Sequence, residues 1–237
     1  MDLPQELLDQ ILRHLDQYSG DVRSFSLVSR SWLECSRRLR FADISINSYN
    51  IQKFLDSVSP TNTALLAHVR SLAYTIRHST YRVYNAVYSL EDYLPSLTQL
   101  QTLALCNMKI EPTIPERLDL FSAFQHTLSS LSLKGGSITW HSFVSLVGYF
   151  PNLRNLEISG CTVDDQPAPH PPRPLQGRLA IGSFSPLLSS RILLTGRLTE
   201  LQLEYEEVNF AGRSWDHDTI IAAVQNTVKI LTFETAR

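Results

Sequence analysis

A six-residue motif of the form apolar-x-x-apolar-x-apolar recurs along this chain and constrains its fold more than any other feature. Apolar residues at every second position of the motif's second half are typical of β-strands. The central leucines follow one another after 31, 28, 25, 45 and 30 residues, and the longest gap leaves room for one more unit at RLAI (178–181). The motif occurs as VRSLAY (69–74), LQTLAL (100–105), LSSLSL (128–133), LRNLEI (153–158), LTELQL (198–203) and VKILTF (228–233).

Helix-like segments lie between some of these motifs. HSFVSLVGYF (141–150) and DTIIAAVQ (218–225) each place their apolar residues on one helical face. A strand and a helix that alternate at a period of 25–31 residues predict an α/β solenoid, with parallel strands on its concave face and helices outside. An ordinary α/β domain with leucine-rich strands is the alternative.

The N-terminal segment LPQELLDQILRHL, which starts at Leu3, predicts an amphipathic helix. Pro4 suits the first turn, where a missing N–H costs nothing, and an apolar stripe follows it. Asp21 predicts the cap of a second short helix that includes Leu27 and Val28, and Ser29 that of a third, SRSWLECSRRL. Three short helices cannot bury this much apolar surface among themselves, so we expect part of it to dock elsewhere.

Residues 2–46 resemble the F-box in LPQELLDQILRHLD, SLVSRSW and LRFADISI, which match its elements in order. The resemblance implies an α/β protein with an N-terminal three-helix F-box that docks on the adaptor subunit of an SCF-type, cullin-RING ubiquitin ligase. Two alternatives stay open: the stripe forms the core of a small helical domain, and Trp32 belongs to the core. The resemblance implies an adaptor surface formed by Leu3, Pro4, Leu7, Ile11 and Leu12, supported or extended by Leu27, Val28 and Trp32.

The remaining chain is similar to leucine-rich repeats, although irregularly. LRNLEISGCTV fits best, because Cys161 fills the family's Asn/Cys position, which elsewhere holds Met108, Gly136 and Glu206. Residues 47–68 fit poorly. An F-box followed by such repeats is a familiar architecture among substrate receptors, which implies an F-box-like domain at 1–46 and a short irregular leucine-rich-repeat solenoid at 47–237.

Two segments depart from the repeat pattern. DDQPAPHPPRP (164–174) predicts an extended proline-rich loop that leaves the solenoid, with a PxxP ligand as the alternative. The chain also stops at Arg237, directly after a strand motif and without a polar capping unit. That end predicts either a truncated form or an exposed edge strand.

Residues between the inward leucines of a solenoid point to its concave face, which predicts a surface for a target protein. These residues are small, polar and mildly acidic. They form no basic stripe and carry no aromatic rings that would stack on bases, and the net charge is −2, so we expect no nucleic-acid partner. The candidate target-binding residues are Ser130, Ser132, Asn155, Glu157, Glu200 and Gln202.

We find no catalytic, metal or cofactor motif. KGGSIT (134–139) lacks the P-loop spacing, no HExxH or GxSxG is present, and Asp216-His217-Asp218 is placed to cap a helix. Three scattered cysteines, no signal peptide and no apolar run of about 18 residues favour the cytoplasm, the nucleus or both, without a membrane partner.

These expectations favour a non-catalytic substrate-recognition subunit of an SCF-type ubiquitin ligase. The helices would hold the adaptor, and the repeats would hold an unidentified target protein. The alternative is a non-catalytic leucine-rich-repeat scaffold without ligase association, in which the helices only cap the solenoid. The lack of catalytic motifs in the sequence disfavours a hydrolase on an α/β core.

Overall fold

The structure is a computed structural model. It describes residues 4, 6–8, 10–12, 14, 27–58, 60–75, 93–110, 114–164, 176–182, 197–206 and 230–236. Residues 6–8, 10–12 and 14 are helical. Further α-helices are α1 (Arg30–Ala42), α2 (Ile51–Ser57) and α3 (Trp140–Tyr149), and 3₁₀ helices span Pro60–His68, Leu94–Ser96 and Ile114–Phe124. The strands are β1 (Asp43–Asn47), β2 (Ser71–Thr75), β3 (Thr102–Ile110), β4 (Ser130–Thr139), β5 (Asn155–Ser159), β6 (Thr162–Asp164), β7 (Gln176–Gly182), β8 (Arg197–Glu206) and β9 (Ile230–Ala236).

The described strands form one parallel sheet that follows the order of the chain. The order is β1-β2-β3-β4-β5-β7-β8-β9, and β6 pairs with the second half of β4. The predicted mixed α/β fold, with a helical N-terminal region and a parallel sheet, is confirmed. The additional unit predicted at 178–181 is strand β7.

The sheet register aligns the central leucines of the motif in one row. Each central leucine lies opposite its equivalent in the next strand, and those with described side chains are almost fully buried, from Leu72 (3% exposed) to Leu131 (0%). Each such side chain contributes about 1.5–3 kcal/mol through its removal from water. The row runs through Ile44, Leu72, Leu103, Leu131, Leu156, Leu179, Leu201 and Leu231.

Helices cover this apolar side of the sheet. The helix predicted at 141–150 is α3, whose N-cap Thr139 accepts a 3.1 Å hydrogen bond from the backbone N–H of Ser142. The stacked rings of Phe124 and Phe150, with centroids 6.1 Å apart, pack next to it. The helix predicted at 218–225 lies outside the described residues.

The N-terminal region runs into the sheet without a linker. The side chain of Ser29 caps α1 by accepting a 3.4 Å hydrogen bond from the backbone N–H of Trp32, as predicted. Helix α1 ends at Ala42, and β1 begins at the next residue and pairs with β2. Leu27 and Val28, predicted on a second helix, instead lie in the turn before Ser29. The domain boundary at residue 46 stays a prediction.

Three strands turn at equivalent positions. Positive φ values occur at three such positions: 56° at Asn107, 65° at Gly135 and 62° at Gly160. The residues just before them, Cys106, Lys134 and Ser159, lie opposite one another in the sheet register. A Cβ on Gly135 would collide with the side-chain oxygen of Asn107. The chain therefore changes direction there and continues as a second parallel leg, which β6 extends. Strand β6 ends at Asp164, and residues 165–174 of the predicted proline-rich loop lie outside the described residues.

Candidate protein-binding surfaces

The N-terminal helical residues divide their leucines between the interior and the surface. Pro4 begins the turn, because its carbonyl oxygen accepts hydrogen bonds from the backbone N–H groups of Leu7 and Leu8 at 3.1 and 3.2 Å. Leu8 (2% exposed) and Leu12 (0%) form a small core with Cys35 of α1. Trp32 and Leu39 of α1 pack against this core and are partly buried. This packing attaches the N-terminal turn to α1.

Other apolar side chains of the same region are exposed. Leu7 is 45% exposed, Ile11 38%, Leu27 87% and Val28 64%. Single exposed leucines are common, whereas a large contiguous apolar patch on a surface marks an interaction site. We call Leu7, Ile11, Leu27 and Val28 the docking patch.

Residues 1–43 match the family model of the F-box domain. The match supports an F-box protein. F-box domains bind the adaptor subunit of SCF complexes, so the match indicates in general a substrate-adaptor role in such complexes, distinct from the adaptor subunit itself. F-box proteins are typically non-catalytic adaptors. No curated protein matches this chain.

The F-box residues predicted at the adaptor surface have different environments. Pro4 is exposed, and Leu3 lies outside the described residues. Leu12 differs from the prediction: it is fully buried because it lies on the helix face that meets Cys35, so it supports the helix and offers no surface. Trp32 is half-buried against the same small core, which fits the supporting role left open for it.

The side of the sheet opposite the leucines carries the predicted target-binding residues. Ser132 Oγ donates a 2.7 Å hydrogen bond to Glu157 Oε2, and Lys134 Nζ lies 2.8 Å from Glu157 Oε1. Ser132 is buried (7% exposed), while the side chains of Lys134 and Glu157 are 47% and 42% exposed. We call this side of the sheet the polar face.

The register places all six predicted target-binding residues in two neighbouring rows of the sheet. Glu200 and Gln202 belong to β8, for which the structure describes the backbone but not these side chains. One row runs Ser130, Asn155, Arg178, Glu200, and the next runs Ser132, Glu157, Ala180, Gln202. Lys134 was not among the predicted residues, although it follows Ser132 by two residues and so points to the same face. The lysine partly neutralises the acidic surface that was expected at Glu157.

The structure describes all three cysteines of the chain. Cys35, Cys106 and Cys161 are free, and Cys35 and Cys161 are buried. Burial, with a smaller contribution from Cys106, raises the pKa of Cys161 to about 11, and its Sγ lies 3.2 Å from the carbonyl oxygen of Gly135. The thiolate form needed for nucleophilic attack is therefore scarce at neutral pH.

Within the described ranges, no group of three or more His, Cys, Asp or Glu side chains is arranged to hold a metal ion. The helices in those ranges are also too short or too polar to cross a membrane. Residues 134–139 form part of strand β4. Residues 216–218, predicted to cap a helix, lie outside the described part of the chain.

Proposed function

We propose that this protein is a non-catalytic substrate-recognition subunit of an SCF-type, cullin-RING ubiquitin ligase. The observation that carries the proposal is the division of leucines in the F-box: Leu8 and Leu12 are buried, while Leu7 and Ile11 are not. One face of the segment holds the domain together, and the other is left for a partner. Apolar helix faces laid into a partner's groove are a common mode of recognition, and a few buried anchors dominate its energy.

The contribution of such a subunit to the reaction is proximity. The F-box would hold the adaptor, and the polar face would hold the target, so that target lysines are presented to the ligase at a high effective concentration. Because α1 leads directly into β1, no linker would separate the two binding surfaces. The protein itself makes and breaks no bonds in this proposal.

We further propose that the sheet is an irregular leucine-rich-repeat solenoid. The parallel strands in chain order and the continuous row of leucines support it. So does Cys161, which occupies the family's Asn/Cys position and lies against the carbonyl oxygens of Leu133 and Gly135 at 3.5 and 3.2 Å.

The target is a protein that contacts the polar face in this proposal. The face offers hydrogen-bonding groups and a half-exposed ion pair between Lys134 and Glu157, which suit a polar polypeptide surface. Its contacts would include Ser130, Ser132, Asn155, Glu157, Glu200 and Gln202. The three free cysteines support a location in a reducing compartment, the cytoplasm or the nucleus. The proposal includes no nucleic-acid or membrane partner.

Co-purification with the adaptor tests this function. The wild-type chain, expressed with the adaptor, is compared with Leu7→Asp plus Ile11→Asp. Tyr49→Ser is the matched control, because Tyr49 is a 68% exposed side chain outside the docking patch. We expect the wild type and the control to retain the adaptor and the double variant to lose it. Equal retention by all three, or by none, overturns the proposal.

A second candidate is a leucine-rich-repeat scaffold whose helices only cap the sheet. The direct passage from α1 into the edge strand β1 favours it, since a terminal unit of a repeat array needs a cover. In that case the wild-type chain binds no adaptor, and its helical region serves folding alone.

A further inference from the structure

Strand β1 forms one edge of the sheet, where a further strand could add. Among the described strands it pairs with β2 alone. The backbone groups of successive residues in a strand point to opposite edges. The carbonyl oxygen of Ala42 accepts its hydrogen bond from Arg70 on the β2 side, so the backbone groups of Ser45 and Asn47 point to the outer edge. Unpaired groups on such an edge are a template for pairing with another chain.

The side chain of Asn50 occupies this edge. Its Nδ2 donates a 2.9 Å hydrogen bond to the carbonyl oxygen of Ser45, and its Oδ1 accepts a 2.7 Å hydrogen bond from the backbone N–H of Asn47. One residue of a neighbouring parallel strand, placed opposite Ile46, would make the same two bonds. The carboxamide of Asn50 therefore takes the place of the backbone groups that a further strand would bring.

The position of Asn50 in the chain would ordinarily give its side chain to a helix. It is the N-cap residue of α2, where an asparagine oxygen usually accepts from a backbone N–H of the first turn. Within α2, all of which the structure describes, no backbone N–H donates to this side chain. Instead, Asn47 Oδ1 accepts from the backbone N–H groups of Tyr49 and Asn50 at 2.9 and 3.1 Å. This turn directs the carboxamide of Asn50 to the strand.

The sequence of β1 offers little other protection of its edge. Natural edge strands are commonly protected by proline, by charged side chains or by bulges. The strand DISIN has no proline, pairs with β2 in regular register, and carries its one charge at its first residue, Asp43. If two copies of β1 paired antiparallel about Ser45, Asp43 of each copy would lie opposite Asn47 of the other. Like charges would not meet, so charge repulsion would not prevent this pairing.

We propose that Asn50 blocks the edge of β1 against pairing with the same strand of a second copy of this chain. Its carboxamide occupies the carbonyl of Ser45 and the N–H of Asn47, which the central hydrogen bonds of such a pair require. The inference does not depend on adaptor binding, because it concerns the edge of the sheet and not the docking patch.

Site-specific cross-linking of the full chain tests the inference. Two copies paired about Ser45 would place these residues directly opposite each other, with Cα atoms about 5.5 Å apart, a separation that a disulfide spans. Ser45→Cys is introduced alone, together with Asn50→Ala, and together with Gln52→Ala, and each chain is oxidised mildly at the same concentration. Gln52→Ala is the matched control, because it removes an amide of α2 that contacts Asp56 and not β1.

Non-reducing electrophoresis measures the covalent dimer. We expect about ten-fold more of it with Asn50→Ala than with Ser45→Cys alone or with Gln52→Ala, because two backbone groups of each copy become available for pairing. The chain without Ser45→Cys gives the background from the native cysteines. Equal dimer yields in the three Ser45→Cys chains overturn the inference.

Amide hydrogen exchange at low protein concentration gives a second readout that needs no association. The N–H of Asn47 should exchange about ten-fold faster in Asn50→Ala than in the wild type, and Gln52→Ala should leave its rate unchanged. An unchanged rate in Asn50→Ala shows that the carboxamide does not hold the edge and overturns the inference. Global unfolding of Asn50→Ala, seen by circular dichroism, overturns it too, because Asn50 then serves the fold.

Discussion

The backbone N–H of Arg70 donates a 2.8 Å hydrogen bond to the carbonyl oxygen of Ala42, which joins the end of α1 to the start of β2. The same connection recurs at each following step of the sheet from β2 to β5. At each step, the backbone carbonyl oxygen of the residue before one strand accepts hydrogen bonds from two backbone N–H groups at the start of the next strand. The N–H groups of Gln101 and Thr102 donate to Arg70, those of Ser129 and Ser130 to Gln101, and those of Arg154 and Asn155 to Ser129. Helix α1 thus provides the first member of a series of backbone connections.

Replacing Arg70 by proline should break the first of these connections. The change removes the donor to Ala42 and should lower the free energy of unfolding by about 1–3 kcal/mol. Arg70→Ala keeps the N–H and loses only an exposed side chain, so it should stay within about 0.5 kcal/mol of the wild type. Urea denaturation measures both. Equal losses for the two variants would show that the side chain matters, not the hydrogen bond.

Two glycines should respond to alanine with opposite signs. Gly135 has a φ of 65°, which L side chains rarely adopt, and a Cβ there would displace the side chain of Asn107, so Gly135→Ala should destabilise the fold by about 1–3 kcal/mol. Gly148 lies within α3 with open space around it, so Gly148→Ala should stabilise by about 0.5–1 kcal/mol. The melting temperatures should move in opposite directions, and a common direction would contradict the turn geometry.

The two ends of the Lys134–Glu157 pair should differ in importance. Glu157→Ala removes both the ion pair and the acceptor of the buried Ser132 hydroxyl, and should cost about 1–3 kcal/mol. Lys134→Ala removes only a half-exposed charge and should cost less than about 1 kcal/mol. Denaturant titrations of the two variants show which one loses more unfolding free energy. A larger cost for Lys134→Ala would show that the hydroxyl bond adds little.

The raised pKa of Cys161 predicts a loss of stability in alkaline solution. The ordinary thiol pKa is 9.0, and burial raises it to about 11 in the folded chain. Below pH 9 both states keep the proton, whereas between pH 9 and 11 only the unfolded state loses it, so stability falls over that window. Unfolding measured from pH 8 to 11 should show a shallower decline for Cys161→Ala than for the wild type. Parallel declines would refute the assignment.

The strands were predictable because one signal serves both local structure and packing. The leucine of each motif is apolar enough to be buried and alternates with polar neighbours, so Leu103, Leu131 and Leu156 predicted both a strand and its inward face. The apolar residues at 141–150 likewise predicted both a helix and the face that it buries. Strand β1 was missed as a member of the sheet, although Ile44 and Ile46 have the motif's spacing, because its five residues directly follow a helix.

The site was only partly predictable because its geometry depends on register. Lys134 and Glu157 are distant in sequence and meet only when β4 and β5 are aligned. The contact between the turns at Asn107 and Gly135 likewise depends on the pairing of β3 with β4. In the F-box, periodicity identified one broad apolar stripe, but the packing of Leu8 and Leu12 on Cys35 decides which side of it is exposed.

The most direct test of this account compares Leu7→Ala with Leu12→Ala, two leucines of one helical segment with opposite burial. Adaptor affinity and unfolding free energy are measured on each variant. We predict that Leu7→Ala weakens adaptor binding at least ten-fold with a stability change under about 1 kcal/mol, whereas Leu12→Ala loses about 2–5 kcal/mol of stability. An adaptor that binds Leu7→Ala as tightly as the wild type, or binds neither, contradicts the account.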